Sequence, residues 1–596
     1  MNTSMRDWDS VPHLFFEQAK RLNDKPFLWA KNNGTYQAIN WNEAARQVCA
    51  LADTLKSNGV KSGDRVMLVS ENRPEWLIAD IAIMSIGGIT VPAYTTNTAR
   101  DHLHIIENSG AKGAIISTNA LSKNYFKAAL QTNCLKFAIT MEDHDLEQDL
   151  SFDIKPWSEA TENAVHNIDD YLEASKLIPS TKTACLIYTS GTGGAPKGVM
   201  LHHGALLHNA LGAKEVVDEL EIGDERFLCF LPLSHAYEHT AGEILPLCIG
   251  AEIFYAESLD KLATNMLEAR PTIMTVVPRL FEMLQSRITR AIANQGGLPH
   301  KLFDRAIRLG KKRLLEPDNL TLSERAQNIF LDHTVRKKVK ARFGGHIKAL
   351  VSGGAPLTPD VGYFFAALGL PLLQGYGQTE SAPVISVNRP NSFRMDTVGP
   401  ILANTEVKIA EDGEILVKGE LVMQGYWRDE ENTAAVIKNG WLHTGDIGEF
   451  TDEGHLKITD RKKDILINDK GDNVAPQRIE GLMTLENEIA QTMVYGDRKP
   501  HMVALIVPDG EWLAHWCRTN DKPNDLKALA YDKDLHKALD VAVKRVNERL
   551  SVIEKIRRFA VADESFSIDN EQMTPTMKIR RHVISNHYRD RLEGMY

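Results

Sequence analysis

The sequence predicts an α/β fold: a large N-terminal region of helix-covered sheets ending in a small β-barrel-like unit, followed by a smaller α+β region. Three observations carry this. The chain has 596 residues, 43% hydrophobic and 25% charged, which is ordinary usage for a globular protein of several structural units. Helical patterns alternate with short β-branched apolar runs over most of its length, the rhythm of mostly parallel sheets covered by helices. After about residue 395 that rhythm gives way to short strands separated by Gly and Asp turns, an antiparallel pattern.

Taken in order, residues 41–57 and 75–86 read as helices, and 65–69, 89–92 and 114–117 as strands. The longest apolar stretch, 77–94, is interrupted by Asp80, Gly87, Gly88 and Pro92, so it reads as a core helix running into a strand, with no membrane span. Further strands are expected at 185–190, 226–232, 273–278 and 347–354. The segments EVKIAEDGEILVKG and GEFTDEGHLKITD supply the antiparallel unit. The charged run DRKKD at 460–464 marks a boundary, giving domains 1–460 and 461–596. In the second, Leu535, Leu539, Ala542, Val546, Leu550 and Ile553 are spaced to form one buried helical stripe.

Charge narrows the function classes. With 69 Lys+Arg against 79 Asp+Glu the net charge is −10, which excludes bulk attraction to nucleic acid and leaves anionic ligands to a local site. Against this background, 301–348 holds thirteen Lys/Arg and five acids, a net +8 suited to anionic lipid headgroups, or simply to a solvated helical face. The six cysteines are dispersed without a C-x-x-C pair, which argues against a zinc or disulfide framework and for a reducing, cytoplasmic setting. The N-terminal segment has acids and no apolar core, so no signal peptide is expected.

Five segments carry chemistry. YTSGTGGAPKG, following a short apolar strand, offers backbone N–H groups and hydroxyls at Thr189, Ser190, Gly191, Thr192, Gly193 and Gly194, with Lys197 as a point charge: a phosphate cradle. It is not a Walker A loop, since Pro196 and Gly198 stand where that motif needs Gly and Ser/Thr. SGGAP, ending at Pro356, and QGYGQTE, from Gln374 to Glu380, place two Gly-rich turns beside the ring face of Tyr376 and the hard oxygen ligand of Glu380. In WLHTGDIGEF, the two carboxylate oxygens of Asp446 suit a vicinal diol. Near the end, MTPTMKIRR contains Lys578, which has no special status by composition.

In order and content these segments resemble the adenylate-forming superfamily, and most of all its long-chain fatty acyl-CoA synthetases, over a span from about Trp41 to the C-terminus. One departure is Gly193, where the family usually carries a second threonine. The resemblance implies ATP-dependent activation of a long-chain fatty acid through an acyl-adenylate to an acyl-CoA, with Mg2+ as cofactor and ATP and coenzyme A as co-substrates. It assigns adenine and phosphate contacts to Gly354, Ala355, Pro356, Gln374, Gly375, Tyr376, Gly377 and Thr379, and the metal to Glu380 with Thr192 as a further contact. Ribose falls to Asp446 and Arg461, the acyl pocket to His235, Tyr237 and Gly353, catalysis to Lys578 with Thr379 and Glu380, and the hinge of a mobile C-terminal domain to Lys463. The expected partners are fatty acid, ATP and coenzyme A; peripheral contact with an inner membrane surface and a homodimer are compatible with the chain. Three other classes stay open: a fatty acyl-AMP ligase serving a carrier protein, a luciferase-like oxygenase, and a zinc hydrolase built on the H-x-x-E-H pattern of His235, Glu238 and His239.

Overall fold

The computed structural model describes residues 7–142, 152–162, 167–189, 195–221, 223–392, 394–462, 465–470, 472–574 and 579–596. Two large sheets form the N-terminal region. One runs, strand beside strand, Asp153–Pro156, Phe137–Thr140, Gly113–Ile116, Arg65–Val69, Ile89–Ala93, Thr183–Thr189 and Lys197–His202, with only the last antiparallel. The other runs Val384–Val387, Leu372–Gly377, Ala349–Ser352, Ile273–Val276, Arg226–Cys229, Glu252–Tyr255, Pro26–Asn32 and Thr35–Asn40, antiparallel only at its two ends. Their central strands are buried on both faces, which is why they read as unbroken apolar runs.

Local chemistry sets the helix ends. Asn40 caps Trp41–Ser57 by accepting the Glu43 N–H, and Thr98 with Asp101 forms a reciprocal capping box for Ala99–Ser109. The core between the sheets contains Phe15, Phe16, Phe27, Trp41 and Trp76, all fully buried, with Phe27 stacked on Trp41 at 3.6 Å between centroids. Burying each such side chain contributes about 2–3 kcal/mol.

The expected strands form with shifts of a few residues. The one expected at 347–354 is Ala349–Ser352, which leaves Gly353 and Gly354 free in the turn beyond it. The antiparallel unit has five strands, Glu406–Ile409, Glu414–Lys418, Ile437–Lys438, Trp441–Phe450 and Leu456–Arg461, and among the described strands no pairing closes it into a barrel. The C-terminal unit packs Pro476–Met483, Gly510–Thr519 and Lys533–Glu548 against a sheet of Ile489–Tyr495, Met502–Pro508 and Ile556–Val561. The expected stripe needs correction at its end. Helix Lys533–Glu548 buries Leu535, Leu539, Ala542 and Val546, and Leu550 joins the same buried cluster from beyond the helix, but Ile553 is 40% exposed. There the chain turns instead, with the Ser551 N–H and hydroxyl donating to Glu554.

The basic segment folds as Gly297–Leu315, Leu322–Leu331, a π-helical turn Asp332–Arg336, and Lys337–Arg342. Part of its charge is used internally. Arg336, 2% exposed, donates to the carbonyls of Ala306, Asn328 and Ala367 and pairs with Asp332, while Lys312 pairs with Glu324 and Arg313 with Asp332. Lys301, Arg325, Lys337, Lys338, Lys340 and Arg342 remain exposed. No helix among the described residues is long and apolar enough to cross a membrane.

Candidate active site

The C-terminal ends of Thr183–Thr189, Ala349–Ser352 and Leu372–Gly377 converge with Trp441–Phe450 and the C-terminal unit on one cavity of about 1570 Å³. Strand ends in α/β sheets are where ligands settle, because the loops there are released from the ladder. The described residues that the resemblance assigns to nucleotide, metal and acyl contacts all line this cavity: Thr189, Lys197, His235, Tyr237, Gly353, Gly354, Ala355, Pro356, Gln374, Gly375, Tyr376, Gly377, Thr379, Glu380, Asp446 and Arg461. Ser190, Gly191, Thr192, Gly193, Gly194, Lys463 and Lys578 lie outside the described residues. The neighbours of the last, Thr574 and Ile579, line the same cavity.

Asp446 sits under two partners. The Tyr376 hydroxyl donates to its Oδ2 at 2.7 Å, and Arg461 Nε pairs with its Oδ1 at 3.1 Å. Burial, then the Asp446 charge, pushes the Tyr376 phenol well above its ordinary value, so it stays a donor. Behind this pair, Glu414 accepts the Gly445 N–H at 2.9 Å and pairs with Lys462 at 3.2 Å. Although burial raises Glu414, hydrogen bonds from His443, Gly445 and Lys462 outweigh it and hold the carboxyl below its usual range.

Glu380 accepts the Tyr426 hydroxyl at 2.9 Å through Oε1, and the Lys197 ammonium lies 5.1 Å from the centroid of the same ring. Gln374 Oε1 is buried with no hydrogen-bond partner among the described residues, an acceptor that a ligand in the cavity can satisfy. Gly377 is required by packing, since a Cβ there would stand 1.8 Å from Pro383 O.

From Gly353 an apolar arm of the cavity runs along the second sheet beneath helix His203–Asp218. Val351, Ala349, Thr275 and Ile273 form its floor, and Ala213, Val216, Val217 and Leu220 its roof. Four residues of strand separate Gly353 from Ala349, about 13 Å at the usual rise. One residue before Ala349, and outside the residues that line the cavity, Lys348 Nζ reaches Glu225 Oε1 at 2.6 Å and Glu221 O at 2.9 Å.

The zinc arrangement is not brought together. His235 caps the short turn Ala236–Glu238, Glu238 accepts from Thr275, and His239 Nε2 meets Asp80 Oδ2 at 2.9 Å. The helix passes into π geometry over His239–Ile244, so the two histidines do not share an ordinary helical face. Among the described residues the single group close enough to ligate a cation is Asp80, His239 and Glu243, wholly buried and already holding the Asp80–His239 pair.

Two roles escaped sequence reasoning: Tyr426, whose only signal was an aromatic in MQGYW, and Glu238, read there as part of the zinc pattern.

A family model described as "AMP-binding enzyme" matches residues 15–427, and one described as "AMP-binding enzyme C-terminal domain" matches 463–596. The long-chain-fatty-acid–CoA ligase FadD15 of Mycobacterium bovis is 32% identical over 594 residues, covering 99% of this chain and 97% of that protein. Long-chain-fatty-acid–CoA ligase 6 of Mus musculus is 30% identical, covering 94% and 83%. Among solved structures, the adenylation domain of a carboxylate reductase from Mycobacterium chelonae superposes with a TM-score of 0.76 at 20% identity, covering 99% of this chain and 92% of that one, a likeness of fold.

Proposed function

The chain belongs to the AMP-binding enzyme family, and from that premise we propose that it joins a long-chain fatty acid to coenzyme A through an acyl-adenylate, releasing AMP and pyrophosphate. The observation that carries this is the continuity of the cavity, from the Asp446–Arg461 pair and Glu380, past Gly353, into an apolar arm suited to an alkyl chain. A polar nucleotide end and an aliphatic end meet where a carboxylate would lie.

In the first step a carboxylate oxygen bonds to the α-phosphorus of ATP as the bond to pyrophosphate breaks. Two anions must approach, so a cation at the reacting atoms lowers the barrier, and we assign that role to Lys578 with Thr379 beside the α-phosphate. Asp446 and Arg461 hold ribose, Tyr376 and Gln374 the base, and Lys197 with the glycine-rich loop the outer phosphates. Glu380, a hard carboxylate oxygen donor lining the cavity, is the residue that would hold Mg2+. When bound it supplies neutralisation of phosphate charge. In the second step the thiolate of coenzyme A bonds to the acyl carbon and AMP leaves, after residues 461–596 turn about Lys463 relative to 1–460.

The test is pyrophosphate release across fatty acids from short to very long. Release should depend on the acid, favour long chains and yield thioester when coenzyme A is present, and Lys578→Ala should slow it by about two to three orders of magnitude. Absence of any adenylate across the panel would overturn the reading, and adenylate without thioester would favour donation to a carrier protein. We further place the protein in the cytoplasm, in keeping with its six free cysteines, with the basic helices against an anionic membrane face. Exposed Leu322, Ile329 and Phe330 beside their cations support that contact.

A further inference from the structure

The strip 423–427 ties together the two sides of the phosphate end of the site. On one side it runs antiparallel to the strand that leaves the glycine-rich loop: Gln424 N–H donates to Met200 O at 3.0 Å, Met200 N–H to Gly425 O at 3.0 Å, and Trp427 N–H to Gly198 O at 2.7 Å. On the other, Met423 N–H donates to Glu380 O at 2.9 Å. Thr433 locks the centre, since its hydroxyl oxygen accepts the Tyr426 N–H at 2.9 Å and its methyl leaves no room for a Cβ at Gly425, where φ is +135°.

Tyr426 is therefore fixed at both flanks before its side chain is considered, and the residue is 9% exposed. It touches one charge with each of its faces of chemistry. The hydroxyl donates to Glu380 Oε1, and the ring lies under the Lys197 ammonium. Were a lysine and a glutamate lining one cavity to pair directly, each would be lost to a ligand of opposite charge. A phenol and a ring face give each a partner that leaves its charge uncancelled.

We propose that Tyr426 is a positioning residue for the triphosphate end of the site: its hydroxyl orients the Glu380 carboxylate, and its ring keeps the Lys197 ammonium from pairing with that carboxylate. This rests on the roles assigned above to Glu380 and Lys197.

The test uses the full chain, with Mn2+ as a paramagnetic probe and a non-hydrolysable ATP analogue. Tyr426→Phe should weaken Mn2+ binding in the presence of nucleotide about tenfold, the loss of one hydrogen bond to a charged group, and raise KM for ATP in step. Conversion of supplied acyl-adenylate and coenzyme A to thioester, which uses neither group, should be unchanged. Tyr426→Leu, which also removes the ring, should weaken metal-free nucleotide binding where Tyr426→Phe does not. If Glu380→Gln weakens Mn2+ binding and Tyr426→Phe does not, the proposal is wrong while the metal role of Glu380 survives. If Glu380→Gln itself binds Mn2+ as the parent does, the metal role fails and this proposal with it. Equal loss of both half-reactions in Tyr426→Phe, with a lowered Tm, would reduce the tyrosine to a structural part, and equal nucleotide binding by the Leu and Phe variants would remove the role of the ring.

Discussion

A Cβ at Gly353 would stand 2.9 Å from Cζ of Tyr237, whose hydroxyl donates to Val351 O at 2.8 Å. The tyrosine can swing aside only by giving up that bond, so the glycine is what lets an aromatic wall stand at the head of the apolar arm. Behind the same wall Glu238 is fully buried, accepting from Thr275, with Oε1 unpartnered among the described residues. Burial pushes its carboxyl up to about 7, despite hydrogen bonds from Thr275 and Cys229 that pull it down. The native state thus holds a proton that the unfolded chain releases near 4.5, and the stability this gives is full below 4.5 and lost as pH rises through 7. Glu238→Gln should remove that loss, gaining about 3 kcal/mol on the parent between pH 4 and pH 8 in denaturant unfolding. Parallel pH profiles for the two proteins would contradict the assignment. Gly353, Tyr376, Glu380 and Asp446 were legible because each sits in a short motif whose chemistry is local. Glu238 and Tyr426 were not, because their partners lie 37 and 46 residues away, Thr275 after the one and Glu380 before the other.

Among the elements, the strands were the most readable, since Arg65–Val69 and Ile273–Val276 are short, mostly apolar runs rich in β-branched residues. The π-turn at His239–Ile244 had no sequence mark, and a reading by helical spacing set His235 and His239 on one face. The basic helices divide by register: Lys312, Arg313 and Arg336 face inward to acids and carbonyls, and Lys337, Lys338 and Lys340 face outward. Reversing those three to glutamate should lower co-sedimentation with vesicles containing anionic phospholipid while leaving the Arg336 network and the melting temperature intact, each charge near such a surface being worth about 1 kcal/mol. Unchanged sedimentation would remove the membrane from the picture.

At the scale of the whole molecule, what could not be read was adjacency. Pro26–Asn32 pairs with Glu252–Tyr255 across more than two hundred residues, a partnership no local pattern encodes, although the presence of parallel sheets was plain. The C-terminal unit is drawn onto the rest by charge: Arg290 reaches Glu511 at 3.0 Å and Asp509 at 3.3 Å, Arg279 donates to Ala490 O at 2.6 Å, and Arg549 pairs with Asp360. In this arrangement Thr574 and Ile579 border the cavity, the placement required by the role proposed for Lys578. Arg290→Glu should therefore slow pyrophosphate release about fivefold and spare thioester formation from supplied adenylate, with Glu511→Arg restoring part of the loss. Equal slowing of both would place Arg290 outside the exchange. The make-up of the apolar arm has a different bearing on the substrate. Its walls are hydrocarbon from Ile273, Ala349, Val351, Ala213, Val216 and Val217, and a branched or ring-bearing tail pressed between them must displace packed atoms, so the enzyme should reject excess breadth sharply.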